Sequence, residues 1–540
     1  MTPLKRSLRL HVAVVAGAVL LTGCGGAAAG DTGSPEAVSI AIGEPMSSLV
    51  PGNTVEEYGS QVLESLWTGL VEYTADGQVS YTGVAESVTS EDSTTWTVRL
   101  RDGWTFHDGT PVTAASFVDA WNWTAYSPNA QAGSYFFANV EGFGDLQAPT
   151  DEEGEPTGEP AATEMSGLRV VDDTTFTVTL AAPFAQFPVT LGYNPFFPLP
   201  ESFFDDPEAF GTEPVGNGPF RADGPFEPGE GITVRAYDEF AGERPAVDAI
   251  EFRVYAETST AYTDALAGNV DVVPRIPADA SGTAPEDFEG RYVETPASGL
   301  TYLGLPLYEE RYSDPRVRQA LSMAIDRDLI AEQIFSGTRE AADAIVPPVV
   351  DGHRDGACEY CTLDVDRANE LLDEAGFDRT TPIDLWFNAG AGNDPWMEAV
   401  GNQLRTNLGV EFVLHGELAP PQYGPLLGTQ GMTGPFRMGW SMDYPSPQNF
   451  LEPLFSTGSD ANYSFYGSAA FDALVAEGNA AANGAEAIGA YNRAEDVVLR
   501  DMPVIPLFFD VTQSVHSDAV ADLVVDVFGR VDTASLTRAG

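Results

Sequence analysis

The sequence is short of the residues on which much enzymatic chemistry depends. Its 540 residues include three cysteines, five histidines and a single lysine, Lys5. The lack of any later lysine excludes a Walker A phosphate loop, a Schiff-base lysine and a Ser-Lys dyad. The histidines form neither an H-E-x-x-H motif nor a close pair, and no G-x-S-x-G motif occurs. We therefore predict no catalytic residue, no metal ligand and no cofactor, although a hydrolase triad assembled from distant residues stays an alternative.

Positive charge is also scarce. Lys and Arg number 26 against 81 Asp and Glu, which gives a net charge of −55. This balance argues against nucleic-acid binding, which depends on basic contacts to phosphates, and against docking on anionic lipid. It favours solubility and keeps molecules apart, and we expect a monomer. The simplest interpretation of the acidic residues is a solvated surface suited to salty or extracellular conditions.

The beginning of the chain carries the parts of a secretory signal. Three basic residues precede an apolar run at 12–21, which is shorter than the about 20 residues that a bilayer-spanning helix needs. Small residues then lead into Cys24. We predict a signal peptide over 1–23 and a flexible Gly/Ala/Ser tether over 24–35.

The tetrapeptide Leu-Thr-Gly-Cys that ends at Cys24 resembles the lipobox of bacterial lipoproteins. This resemblance implies cleavage before Cys24, a diacylglyceryl thioether on its sulfur and acylation of the new amino terminus. One acyl chain anchors weakly, and two or more hold firmly. An ordinary signal peptide with an unrelated cysteine is the alternative.

The other two cysteines, Cys358 and Cys361, are spaced as C-x-x-C. In a cytosolic protein this spacing indicates redox or metal chemistry, but a single C-x-x-C without a second pair is weak evidence for zinc. Outside the cell a local disulfide is favoured.

The order of apolar runs predicts a mixed α/β protein of more than one domain. Residues 37–42 are typical of a strand, and 249–274 and 383–417 are each typical of a β-α-β unit, the building block of parallel sheets. The stretch 313–335 predicts one long helix, which Asp314 caps.

From about Ser39 to Phe508 the chain resembles the peptide-type extracytoplasmic solute-binding proteins of ABC importers, known as family 5. The segments that carry the resemblance, in family order, are SLWTGLVEYTADG, WTVRLRDGWTFHDGTPVTAASFVDAW, GNGPF, DALAGNVDVV, DPRVRQALSMAIDRDLI, ANELLDEAGF, GWSMDYPSPQNFL and DMPVIPLFF. Any one of them is weak evidence, whereas their common order is highly specific.

The resemblance implies a type II periplasmic-binding-protein fold, in which two α/β lobes joined by hinge strands enclose a ligand cleft and one lobe carries an additional domain. The expected segments are 36–57, 190–296 and 508–540 for a discontinuous lobe I, 58–189 for the additional domain packed on it, 297–507 for lobe II, and hinge crossings near 294–306 and 503–509.

Asp443 is the main candidate binding residue. In the peptide binders that this sequence resembles, the aspartate of a G-W-x-x-D motif pairs with the α-ammonium of the ligand, and Asp443 occupies that position. A peptide amino terminus that enters a closed, drier cleft loses hydration and needs a counter-charge. A charge-assisted hydrogen bond to a carboxylate meets that need. An isolated aspartate in a turn would instead be exposed to solvent.

Five further residues complete the predicted site. Gly439 would let the peptide backbone approach and pair in β-strand fashion. Trp440 either forms a side-chain pocket or packs in the core. Arg437 matches an arginine that helps capture the ligand carboxylate, for which a guanidinium is well shaped, and an internal salt bridge is its alternative. Glu44 falls where the family's first strand meets the cleft. Tyr135 lies near a region where the family presents an aromatic ring, although core packing is the simpler interpretation.

The resemblance implies a lipid-anchored receptor on the outer face of the cell membrane. It would capture a di- to oligopeptide, close over it and present it to a permease driven by a separate ATPase, without covalent chemistry. The alternatives are the same fold binding an oligosaccharide, a metal complex or another small solute, an extracellular hydrolase, or a purely structural surface lipoprotein.

Overall fold

The structure is a computed structural model that describes residues 37–151, 156–390 and 392–539. The predicted signal peptide, the tether and Cys24 lie outside the described residues. None of the helices in the described ranges combines the length and the apolar character that a membrane crossing needs.

The strands of the described residues are numbered in chain order. They are β1 Val38–Ile42, β2 Glu72–Tyr73, β3 Val79–Ser80, β4 Ala85–Thr89, β5 Thr95–Leu100, β6 Leu168–Asp172, β7 Thr175–Thr179, β8 Phe220–Ala222, β9 Gly231–Ala236, β10 Ala249–Val254, β11 Val272–Val273, β12 Tyr292–Gly304, β13 Arg339–Ala341, β14 Ile383–Trp386, β15 Phe412–His415, β16 Phe436–Trp440, β17 Val504–His516, β18 Val520–Asp522 and β19 Thr537–Arg538.

The α-helices are numbered in the same way. They are α1 Glu57–Leu66, α2 Ala114–Ala125, α3 Phe187–Thr190, α4 Pro207–Phe210, α5 Thr258–Leu266, α6 Ala284–Asp287, α7 Pro315–Met323, α8 Arg327–Phe335, α9 Val365–Ala375, α10 Asp394–Leu408, α11 Pro420–Gly428, α12 Pro447–Phe455, α13 Ala469–Asn479 and α14 Gly484–Asp501.

One large mixed sheet joins strands from both ends of the chain. Its order is β15-β14-β16-β12-β17-β11-β1-β10-β9-β8, and β13 pairs with β17 beside this path. Strand β1 is buried at all five positions and lies parallel to both β10 and β11. A continuous apolar run is what a parallel strand covered on both faces requires.

Strands β12 and β17 connect the two halves of this sheet. Each is 13 residues long, and they pair antiparallel from Tyr292–Val515 at one end to Gly304–Val504 at the other. The ladder is interrupted between Pro296 and Leu300. Towards one end β17 also pairs with β11, and towards the other β12 pairs with β16.

Two separate large hydrophobic cores lie on either side of this interruption. One draws its side chains from residues 38–272 and 520–536, and the other from residues 300–509 with Val527. The four-stranded sheet β4-β5-β7-β6 belongs to the first core, into which β5 directs alternate side chains. The molecule is therefore a mixed α/β protein with two lobes, as predicted.

Both predicted β-α-β units are confirmed. Strands β14 and β15 pair directly in parallel, with α10 as their crossover. In the other unit α5 connects β10 to β11, and β1 lies between these two strands.

The single helix predicted over 313–335 is wrong, because the structure contains α7 and α8 separated by a break. Asp326 is extended there, and its side chain caps α8 by accepting the N–H of Leu329. The buried guanidinium of Arg327 donates to the carbonyl of Ser322 in the last turn of α7 and to that of Ile325 within the break. Carbonyls that a continuous helix would pair internally are thus satisfied by a side chain.

Cys358 and Cys361 form a disulfide, with Cα atoms 5.3 Å apart. Both residues are buried in the second core. Among the residues that the structure describes, no three His, Cys, Asp or Glu side chains are grouped as a metal site requires.

Candidate ligand-binding site

The candidate site begins where β16 leaves the large sheet. Strand β16 pairs antiparallel with β12, and the last pair joins Trp440 to Leu300. The chain then turns and enters α12, which begins with Ser446 as its N-cap and Pro447 in its first turn. Asp443 lies in this short connection, a position in which loops commonly carry function.

Asn449, in the first turn of α12, fixes this connection. Its Oδ1 accepts the backbone N–H of Asp443 at 2.9 Å, and its Nδ2 donates to Oδ2 of Asp443 at 3.1 Å. The indole Nε1 of Trp440 donates to the same Oδ1 at 3.4 Å. One buried amide therefore orients both predicted site residues.

Asp443 and Trp440 line a cavity of about 400 Å³, here named the Asp443 cavity. Half of its lining residues come from 135–196 and the other half from 440–461. The volume lies within the about 300–1,000 Å³ typical of small-molecule sites. The cavity thus separates two parts of the molecule that are distant in sequence.

The two parts of the molecule that form the walls also contact each other outside the cavity lining. Ser446 Oγ donates to Oε1 of Gln186 at 3.2 Å, and the N–H of Ala185 donates to the carbonyl of Asn479 at 2.7 Å. These contacts bring the side that carries Tyr135 close to the side that carries Asp443.

The electrostatics of the site centre on the Asp443 carboxylate. Burial raises its pKa to about 6, and the hydrogen bond from Asn449 opposes that rise. No described cation lies close enough to shift this pKa. Withdrawal from bulk water raises the pKa values of Tyr135, on the opposite wall, and of Tyr193, whose ring packs on Phe136 of that wall. The charge of Asp443 raises both further. The negative charge of Asp443 therefore acts on groups on the other side of the cavity.

The structure brings together three of the six predicted binding residues, namely Asp443, Trp440 and Tyr135. The interpretation that Tyr135 packs in the core is wrong, because the residue is 58% exposed and lines the cavity. Trp440 is half-buried, so that one part packs on the second core while another part lines the cavity.

Glu44 lies apart from these three residues. It is exposed, and its Oε2 accepts the N–H of Gly229 at 2.9 Å. It lines a second cavity of about 220 Å³ together with Tyr58 and Arg275. Its predicted place beside the first strand agrees with its position two residues after β1.

Arg437 and Gly439 lie on β16, outside the lining of both cavities. The Nε of Arg437 is buried and donates to no described group. Burial lowers the pKa of Arg437, and the neighbouring charge of Arg339 lowers it further. Nε of Arg339 itself lies 3.3 Å from Oδ1 of Asp510. The internal salt bridge considered for Arg437 is absent from the described residues.

The position of Gly439 could hold a Cβ without a clash. A Cβ at this position would lie 3.4 Å from the carbonyl oxygen of Leu300 and 3.5 Å from Nη2 of Arg437, which are ordinary contact distances. The fold therefore does not require glycine here.

Sequence reasoning missed Asn449 as the residue that orients Asp443. A usable signal was present, because the Ser446–Pro447 pair predicts a helix start and places Asn449 in the first turn. It also missed Glu452 and Asp460, which line the Asp443 cavity. Neither residue has a sequence pattern around it that would have indicated a place in the site.

Comparison with known proteins places the chain among binding proteins. Residues 80–462 match the bacterial extracellular solute-binding proteins, family 5. The chain is 27% identical over 480 residues to the periplasmic murein peptide-binding protein MppA of Escherichia coli. It is 28% identical over 488 residues to the periplasmic oligopeptide-binding protein OppA of Salmonella typhimurium. Each alignment covers 86% of this chain and 86% of the relative.

Solved structures show the same architecture. The chain resembles MppA in its unliganded open form with a TM-score of 0.80 and 23% identity, over 94% of this chain and 98% of the other. It resembles Haemophilus influenzae OppA in complex with RPPGFSPFR with a TM-score of 0.71 and 22% identity, over 94% and 99%. The predicted two-lobed α/β fold class is confirmed.

Proposed function

Because the chain belongs to family 5 of the bacterial extracellular solute-binding proteins, we propose that it captures di- to oligopeptides at the Asp443 cavity and delivers them to an ABC permease. The family binds solutes and is not a family of enzymes, and the relatives named above are peptide-binding proteins. The observation that carries the proposal is a partly buried carboxylate without a cationic partner among the described residues, facing a cavity between two walls.

The ligand's α-ammonium is the group that best suits Asp443. The carboxylate has lost much of its hydration, as its raised pKa reflects. An ammonium that enters the cavity supplies the missing positive charge, and the two groups form a charge-assisted hydrogen bond. Asn449 holds Oδ2 in place, so little side-chain entropy is lost on binding.

Arg437 is the proposed partner of the ligand's carboxylate. Its guanidinium has a buried Nε–H without an acceptor among the described residues. An arriving carboxylate would satisfy that donor and offset the repulsion from Arg339. We place the peptide backbone beside Gly439, where pairing in β-strand fashion would occur, and Trp440 offers an apolar surface to a side chain.

Closure would occur about strands β12 and β17. We assign lobe I to 36–57, 190–296 and 508–540, the additional domain to 58–189, and lobe II to 297–507. The interruption between Pro296 and Leu300 falls at the boundary between these parts. A peptide that contacts both walls binds the closed form more tightly and so shifts the molecule towards it.

Anchoring of the receptor at the membrane would keep it near the permease to which it delivers peptides. We propose that the signal over 1–23 is removed, that Cys24 carries the lipid, and that the tether over 24–35 keeps the monomeric receptor at the outer face of the cell membrane. The permease and its separate ATPase would supply the transport energy.

Mass spectrometry of small molecules released from the denatured purified protein tests the ligand class. Peptides are the expected result, and recovery of sugars alone would overturn the proposal. Calorimetry with Ala-Ala-Ala then tests the site, because Asp443→Ala should weaken binding by about 100-fold. Asp102→Ala, at an exposed turn, is the matched control and should leave binding unchanged.

A further inference from the structure

The Asp443 cavity has an unbalanced charge. Three carboxylates line it, those of Asp443, Glu452 and Asp460, and no lysine, arginine or histidine is among its lining residues. A single α-ammonium would neutralise only one of the three. Clefts lined by one sign of charge attract ligands of the opposite sign.

The acidic composition of the whole chain does not give every cavity this imbalance. The second cavity also has two carboxylates in its lining, Glu44 and Glu57, but Arg275 and Arg530 line it as well. Its charges are therefore matched. A larger cavity of about 680 Å³ is also lined by carboxylates without a basic residue, those of Glu64, Glu72, Glu243, Asp526 and Asp532, so an excess of negative charge occurs in some cavities and not in others.

Glu452 is held in place on the wall formed by α12. Its Oε2 accepts hydrogen bonds from Nε2 of Gln448 at 2.6 Å and from Nδ2 of Asn479 at 3.1 Å. Both bonds end on Oε2. Oε1 accepts no hydrogen bond from the described residues, and it stays available to a ligand donor. Glu452 follows Asn449 by three residues, so both lie on one face of the helix.

Asp460 lies at the rim of the same cavity. It is exposed, on the turn that follows α12. A cationic group that enters the cavity therefore passes one carboxylate at the rim and meets another inside.

The opposite wall suits the stem of a long cationic side chain. It contains the aromatic rings of Tyr135, Phe136, Phe184 and Phe187. Methylene groups of lysine or arginine bury well against such rings, and their charged ends are attracted to ring faces.

We infer that the Asp443 cavity selects peptides whose first residue has a cationic side chain, with Glu452 and Asp460 as the specificity-determining carboxylates. This inference rests on the proposed function, since it places the α-ammonium at Asp443. The first side chain then extends between the aromatic wall and the two further carboxylates.

Calorimetry with two matched peptides tests the inference. Lys-Ala-Ala and norleucine-Ala-Ala differ by the terminal ammonium of the first side chain. The wild-type protein should bind Lys-Ala-Ala about tenfold more tightly. Because the attraction is electrostatic, the preference should shrink when NaCl is raised from about 0.05 M to about 0.5 M.

The double variant Glu452→Gln with Asp460→Asn should reduce the preference to about twofold while norleucine-Ala-Ala still binds. In Glu452→Gln the side chain keeps an oxygen that accepts hydrogen bonds from Gln448 and Asn479. In the single variant Asp460→Asn only an exposed residue changes. Glu398→Gln removes one negative charge at an exposed position of α10 outside the cavity lining, and this control should keep the full preference.

The outcomes separate the two proposals. If neither peptide binds the wild-type protein, the proposed function fails and this inference fails with it. If both peptides bind equally well, the inference alone is overturned. If the preference survives in the double variant, Glu452 and Asp460 do not determine it and the inference is likewise overturned.

Discussion

Asn449 holds Asp443 at two points, its backbone N–H at 2.9 Å and its carboxylate oxygen at 3.1 Å. Asn449 is only 2% exposed, so the protein rather than solvent fixes its orientation. The candidate binding carboxylate is therefore preorganised before any ligand arrives.

Replacing Asn449 by alanine tests this positioning role. We expect Asn449→Ala to bind Ala-Ala-Ala about tenfold more weakly, because the carboxylate is no longer held towards the cavity. The hydrogen bond from Asn449 lowers the pKa of Asp443, so its loss should also move the midpoint of the binding pH profile upwards. Calorimetry across pH measures both effects, and an unchanged midpoint would contradict the role.

Peptide affinity should fall in mildly acidic solution. Only the ionised form of Asp443 pairs with an ammonium, and burial raises its pKa to about 6. Below that pH the affinity should decrease about tenfold per pH unit. Titrations between about pH 7.5 and about pH 5 measure this slope. In Asp443→Asn the remaining weak binding should show no such slope, and a slope equal to that of the wild type would assign the titration elsewhere.

Replacing Asp443 by asparagine should stabilise the ligand-free protein, although the same substitution weakens peptide binding. With a pKa raised from 3.8 to about 6, folded Asp443 binds its proton more readily than the unfolded chain does. Its contribution to stability is therefore lost as pH rises through this window. We expect Asp443→Asn to raise the free energy of unfolding at neutral pH by about 1–2 kcal/mol. Thermal unfolding measures this gain, with Asp102→Asn as the control; a lower melting temperature would contradict it.

Much of the fold was predictable because its signals are local. The alternation of Trp96, Val98 and Leu100 predicts the buried face of β5, as observed. The break between α7 and α8 was not predictable, because its cause is distant. Arg327 donates to carbonyls of Cys361 and Pro506, which only the folded chain brings near.

Arg327 should be essential for stability. Burial lowers its pKa to about 9, yet its guanidinium donates to several main-chain carbonyls and to Ser322 Oγ. Arg327→Met would leave these acceptors buried without donors, so we expect a loss of about 3–5 kcal/mol or failure to fold. Arg367→Met, on an exposed face of α9, should change stability little. Equal melting temperatures for the two variants would contradict this prediction.

The candidate site was predictable only where its residues are close in sequence. Trp440 and Asp443 are three residues apart, and a helix start follows them, so their proximity is local. Tyr135 is distant in sequence, and its place on the opposite wall depends on how the two lobes pack. The role of Glu44 stays a prediction, because a position next to the first strand does not specify which cavity a residue lines.

Arg437 should recognise the carboxyl end of the peptide. Its buried Nε–H has no acceptor among the described residues, and a ligand carboxylate would supply one. Wild-type protein should bind Ala-Ala-Ala about tenfold more tightly than its C-terminal amide, and Arg437→Met should remove that difference. Burial and the charge of Arg339 both lower the pKa of Arg437, so its charged form costs stability and the variant should remain folded. Arg493→Met, on an exposed face of α14, is the control. Calorimetry with the acid and the amide decides the matter, since an undiminished preference in Arg437→Met would place carboxylate recognition on another residue.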